Sequence, residues 1–234
     1  MFESLFTRRA ERTHQFTVYR SGEQTDLEGW LTDHGVEVVA KSLPHGGPEP
    51  FIEITTDGEF VGVIGIRELE SLLEPPVARP IDSGVSKPYR VIFDVLDDTL
   101  FQSLSRRELL AVSREIEERA YRVGKGTLRV SFQALSTFQS QVELYRVLAT
   151  ESELDIHIYG SPDWTPPEIA GITYHEDTTH SITQYWSLAY DGGLDQRQMC
   201  ALVAKEDSDR YQGWWTNDPE IVFEVLQTLE NLSG

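Results

Sequence analysis

Residues Leu104–Ser136 dictate most of what this chain can become. Ser105 and Glu108 have the Ser-x-x-Glu spacing of a capping box, which satisfies two of the free amides at a helix start. Leu109, Val112, Ile116 and Ala120 then recur at steps of three and four, placing one apolar stripe on one helix face. Gly124 suits a left-handed stop. From Thr127 to Leu135 the period changes to two. Leu128, Val130, Phe132 and Ala134 point one way, and Arg129, Ser131 and Gln133 the other. A helix, a glycine turn and a half-polar strand are therefore expected in that order.

The pattern continues C-terminally. Ser136 and Gln139 repeat the capping-box spacing, and Phe138, Val142, Tyr145 and Leu148 form a second helical stripe. Leu154–Tyr159 alternates, with Leu154, Ile156 and Ile158 on one face. Strand, helix, strand at this length is a βαβ unit, which makes the two strands parallel. A helix packed on the apolar face leaves Arg129, Ser131, Gln133, Asp155, His157 and Tyr159 on the opposite one. Gly160–Pro167 reads as a loop carrying Trp164, and Ile169–Thr173 as a short strand. Gln184–Tyr190 and Met199–Lys205 are strands joined across Asp191-Gly192-Gly193, followed by an aromatic strand at Arg210–Thr216. Asp218 before Pro219 opens a last helix whose apolar face is Ile221, Val222, Val225, Leu226 and Leu229.

Towards the N-terminus the elements are shorter. Phe16–Tyr19 and Val36–Ala40 read as strands around a helix at Asp26–His34 that Gly35 closes. Pro44–Pro50 is a loop. Phe51–Thr55 and Phe60–Ile66 flank Thr56-Asp57-Gly58-Glu59, a hairpin turn centred on Asp-Gly. A short helix at Arg67–Leu73 ends at Pro75-Pro76. In this order of elements, Gly58–Ile66 (Gly-Glu-Phe-Val-Gly-Val-Ile-Gly-Ile) resembles part of a CBS repeat. Glu74–Lys87 holds three prolines and reads as a linker, with Tyr89–Val95 a strand beyond it. The expected organisation is a small N-terminal α/β module plus linker over residues 1–86 and a larger domain over 87–234. The fold class is α/β: a mixed sheet with flanking helices, with the compact GAF or PAS kind of sensor as an architectural neighbour.

Composition limits the function. The 234 residues carry 39 acidic and 20 basic side chains, a net charge of −19. That surface repels phosphate backbones and argues against direct nucleic-acid binding. Only four of the basic residues are lysine. Acidic, lysine-poor composition spread along the whole chain reads as salt adaptation. No apolar run approaches the roughly 20 residues that cross a bilayer, and Met1–Arg12 lacks the apolar stretch of a signal peptide, so a cytoplasmic protein without membrane contact is expected. One cysteine, Cys200, leaves no intrachain disulfide, and its apolar strand neighbours make it a small buried hydrophobe.

Several stretches from Leu104 to Leu229 together resemble the DICT sensory-domain family. They are Leu104–Leu110 with Ser113–Glu117, Arg122–Thr127, Phe132-Gln133, Tyr145–Ala149, Asp155–Gly160, Trp186, Ala201–Glu206 and Gly213–Pro219. With its leader, the chain looks like the stand-alone haloarchaeal members. The resemblance implies a non-catalytic sensory role in signal transduction, and no ligand or catalytic set comes with it. No output domain is recognisable in the chain, so the resemblance implies a signalling output protein as partner.

The chemical motifs are sparse. Gly124-Lys125-Gly126-Thr127 follows a helix, where a phosphate loop follows a strand, and lacks the earlier glycine of such a loop; a helix cap and turn explains it. His175 and His180 stand five apart, where a zincin needs four on a helix; a solvated acidic loop over His175–His180 is the better reading. Asp94, Asp97 and Asp98 suit a hard cation, but aspartates cluster readily in so acidic a chain. The polar strand face is the strongest signal. Convergent polar groups over an apolar floor describe a small-molecule pocket. The candidate ligand-binding residues are Arg129, Ser131, Gln133, His157 and Tyr159, with Trp164, Trp186 and Trp215 as walls; Trp214 is a further candidate wall. The competing readings are a polar face open to water and tryptophans that are plain core. The cofactor is unknown, the small-molecule ligand unidentified, and a homodimer stays open. The two rival functions are an enzyme on a small metabolite and an adaptor without ligand.

Overall fold

The computed structural model describes residues 2, 14–22, 26–33, 37–67, 101–104, 106–177, 182–207 and 210–231. Two mixed sheets organise them. The smaller has the order β2-β1-β3-β4, from β1 (His14–Arg20), β2 (Glu37–Ser42), β3 (Phe51–Thr56) and β4 (Glu59–Gly65). Helix α1 (Asp26–Asp33) connects β1 to β2, which pair in parallel. The β3–β4 turn is the expected one: Asp57 and Gly58 both have positive φ, at 51° and 84°, as a hairpin turn twisted to match its strands requires. Phe16, Val18, Leu31, Ile52, Ile54 and Ile64 are buried there and belong to the same apolar cluster as Leu128, Val130 and Leu188 of the larger sheet.

The larger sheet has the order β5-β11-β10-β9-β6-β7-β8. Its strands are β5 (Phe101–Leu104), β6 (Lys125–Ala134), β7 (Glu153–Ser161), β8 (Ile172–Glu176), β9 (Tyr185–Tyr190), β10 (Cys200–Asp207) and β11 (Arg210–Thr216). β6, β7 and β8 are parallel, while β9, β10, β11 and β5 continue antiparallel. Both faces of the sheet carry helices. On one lie α2 (Arg106–Val123) and α3 (Val142–Thr150). Leu109, Ile116 and Ala120 of the α2 stripe are fully buried against Leu128, Val130, Leu188 and Leu202. On the other lies α4 (Pro219–Glu230), whose Val222, Val225 and Leu229 bury against Ala189, Ala201, Val203 and Trp214. Asp218 caps α4 by accepting from the Glu220 amide at 2.9 Å, and Pro219 fills the first turn. The mixed sheet with flanking helices is thus as expected.

Three local expectations need correction. Ser136 does not start an α-helix. Residues Leu135–Gln141 form a 3₁₀ turn, and Ser136 instead gives its amide and hydroxyl to Asp163, the amide at 2.8 Å. The loop carboxylate takes the Ser136 amide that a capping box would have left to the Gln139 side chain. The strand expected at Ile169–Thr173 runs three residues later, Ile172–Glu176, because Gly171 with φ 85° turns the chain into it. The alternation of β6 breaks at Gln133, whose φ is 62°, at a bulge between Ser131 and Ala134. The capping residues Ser105 and Gly35, most of the helix expected at Arg67–Leu73, the linker, the 86/87 boundary, the strand at Tyr89–Val95 and the aspartates 94, 97 and 98 lie outside the described residues.

Candidate functional site

Pairing register decides which side chains share a face. Arg129 sits opposite His157, and His157 opposite Thr173. One step along, Ser131 sits opposite Tyr159, and Tyr159 opposite His175. Four of the expected polar residues, Arg129, Ser131, His157 and Tyr159, therefore do share a face, the one that carries α4. That helix lies over β9, β10 and β6. At the β7–β8 end Asp155 and Thr173 are exposed, and His157 and His175 are half-buried.

The polar groups there are linked. Arg129 donates through Nη1 to the Tyr159 hydroxyl, and its Nη2 stands 3.3 Å from Oε1 of Glu230 in the last turn of α4. His157 Nδ1 and His175 Nε2 are 2.8 Å apart, and His157 Nε2 is 3.0 Å from Asp155 Oδ2. A carboxylate only accepts, so His157 carries its proton on Nε2. Neutral His157 then presents a lone pair on Nδ1, and His175 donates to it. The Tyr159 and His175 rings stack at 4.5 Å and 13°. The Arg129 guanidinium is largely buried, so its charge acts through a weakly screened medium.

His175 is held below the ordinary imidazole range. Burial is the first cause; His157 and Arg129 add to it, and Asp155 works against it. Below about pH 6.5 the unfolded chain takes up a proton at this position that the folded chain resists. The contribution of neutral His175 to stability is thus present above that pH and is lost as pH falls towards the depressed folded value. Denaturant titrations from about pH 8 to about pH 5 should show the stability difference between wild type and His175→Gln shrinking on acidification. A difference that stays constant with pH would show that the ring titrates alike in both states.

Other candidates go elsewhere. Gln133 leaves the face at the bulge and donates to Glu206 at 3.2 Å. Trp186 and Trp215 lie on the opposite face, under α2, and Trp186 donates to Ser113 Oγ at 3.1 Å. Trp164 packs against the same cluster. None of these three walls the polar face; Trp214 does lie on it, fully buried beneath α4. His175 belongs to this cluster and to β8, not to a solvated loop. Its signal was the alternation Ile172, Thr173, Tyr174, His175, read two residues too short. Glu230 had no local signal, because its role depends on where α4 ends.

A second polar group lies inside the α2 layer. Tyr145 donates to Glu117 at 2.6 Å, and Arg114 donates to both Glu117 and Gln141. Burial and the Glu117 charge push the Tyr145 hydroxyl well above its usual range, so it stays protonated as a donor. These bonds tie α2 to α3. Among the described residues, no three histidine, cysteine or carboxylate side chains come together as a metal site. Gly124-Lys125-Gly126-Thr127 follows α2 as a cap: Gly124 has φ 74° and its amide donates to the Ala120 carbonyl at 2.8 Å. Cys200 is buried and in no disulfide.

Among the described residues, no helix is long and apolar enough to cross a membrane. No curated protein matches the chain. Among solved structures it is similar to polyphosphate kinase from Porphyromonas gingivalis, at 11% identity and a TM-score of 0.39. That alignment covers 97% of this chain and 47% of the other, so the chain spans about half the length of that protein. The likeness is too low to carry an argument. The sequence profile of the DICT family matches residues 91–207, half of the chain, and takes in β5, α2, β6, α3, β7, β8, β9 and β10. The chain belongs to the DICT family, the sensory domain of diguanylate cyclases and two-component systems.

Proposed function

We propose that this is a non-catalytic sensory protein that binds a small molecule on the polar end of the larger sheet and signals through a partner protein. The observation that carries the reading is the linked set Arg129, Tyr159, His157 and His175, at the β7–β8 end of the face that carries α4. A buried guanidinium beside a histidine pair locked by its own hydrogen bonds offers charge and a fixed polar wall to one small ligand. Family membership supports the sensory part of the reading. The proposal keeps residues 1–86 as a separate small module. It sets the protein in a cytoplasm rich in salt, on the strength of its net charge of −19.

Mass spectrometry of the compounds released when protein purified in molar KCl is denatured tests this directly. A stoichiometric compound is expected from wild type. Arg129→Ala and His157→Ala should each lower its occupancy about tenfold or more, the loss of one charged or directed contact. Occupancy that neither variant changes would put the ligand elsewhere. An empty wild-type protein would turn the reading towards an adaptor without ligand.

A further inference from the structure

The contact between Arg129 and Glu230 identifies the class of ligand. Arg129 has one side-chain partner inside the sheet, the Tyr159 hydroxyl, and one at the surface, the Glu230 carboxylate. The two ends of that ion pair differ greatly in exposure: the arginine side chain is 11% exposed and the glutamate side chain 65%. The arginine is fixed and the carboxylate is replaceable. Glu230 is also badly placed for its own helix. It stands in the last turn of α4, where the helix dipole disfavours negative charge, and that turn has no basic residue to offset it. What Arg129 returns to Glu230 is therefore the main electrostatic reason for that carboxylate to stay.

We infer that Arg129 is the anchor for a small monocarboxylate ligand, which takes the position of the Glu230 side chain and frees the last turn of α4. The site already holds a carboxylate from its own chain, so it accepts that group's charge and shape. One guanidinium in a chain of net charge −19 matches a monoanion and not a phosphorylated dianion. His157 and Thr173 continue the row from Arg129 across β7 and β8, so the body of the ligand lies along that row. Because Glu230 is the helix's own residue, occupancy at Arg129 reports itself at the end of α4.

The inference rests on the ligand-binding reading above, and its test separates the two. Acetate is the minimal probe, exchanged for chloride at constant ionic strength. The signals are the Arg129 side-chain N–H and the Gln227–Glu230 amides in nitrogen-correlated NMR spectra. Saturable shifts are expected at both places in wild type. Glu230→Gln should bind acetate about twofold to fivefold more tightly, the worth of one ion pair with an exposed carboxylate, and Arg129→Gln should lose the saturable response. Equal acetate affinity in wild type and Glu230→Gln would overturn the inference, as would a saturable response that survives in Arg129→Gln. A co-purified compound without a carboxylate, lost in His157→Ala, would overturn it and leave the sensory reading standing. An empty protein with no acetate response would remove both.

Discussion

Trp214→Ala should cost about 3–5 kcal/mol, the usual range for removing a fully buried large aromatic side chain. Trp214 is 0% exposed and among the largest side chains wholly inside the protein. It stands on β11 opposite Val203, in the cluster that holds α4 to the sheet. The cavity would open directly under that helix. With whole-domain stabilities of about 5–15 kcal/mol, the loss is large enough to loosen α4 before the rest unfolds. Denaturation in KCl gives the total cost. Hydrogen exchange gives its location: α4 amides should lose protection more than those of α2, which packs on the opposite face. Equal loss in both helices would mean that the sheet unfolds as one unit. Trp214→Phe, which fills most of the space, should recover most of the stability and separates a cavity effect from a failure to fold.

Gly126→Ala should cost about 2–4 kcal/mol, for two independent reasons that act together. Gly126 has φ 105°, a backbone conformation that side chains disfavour. An added Cβ would also stand 2.3 Å from Asp191 Oδ1 and 2.8 Å from the Gly193 Cα. Asp191 cannot swing aside freely, because the same Oδ1 accepts from the Gly193 amide at 2.8 Å. A shift of the thermal midpoint within the error of a surface substitution would show that the β9–β10 turn gives way. Gly124→Ala is the comparison. Its φ of 74° is also positive, but an added Cβ would have only the Tyr121 carbonyl near it, at 3.7 Å. The difference between the two variants measures the clash together with the extra backbone strain of the wider φ at Gly126.

What was legible in the sequence was what local periodicity encodes. The stripe Leu109, Val112, Ile116 and Ala120, the strand pair Leu128–Phe132 and Leu154–Ile158, and the cap at Asp218-Pro219 all appear at their expected places. The parallel pairing of β6 and β7 followed from the length of the connection. What was not legible depended on the third dimension. Ser136 has the right spacing for a cap, but Asp163, far along the chain, reaches its donors first. The face of each tryptophan is set by strand register, and Trp214 and Trp215 take opposite faces because they are adjacent. Arg129, Ser131, His157 and Tyr159 could be grouped by counting in twos. His175 and Glu230 joined them only through β8 pairing and the end of α4.

The seam between the parallel and antiparallel halves of the sheet has a kinetic consequence. Within each half, β5 apart, neighbours in space are near neighbours in the chain: β6, α3, β7 and β8 follow one another, as do β9, β10 and β11. The halves join where β6 pairs with β9, Leu128 facing Tyr190, across the whole intervening segment. Closing so long a loop carries an entropic penalty that the contacts within each half do not. The two halves are therefore expected to form as separate nuclei, and the long-range closures, β6 on β9 and β5 on β11, with α4 settling across the first, to be the late events that set the folding rate.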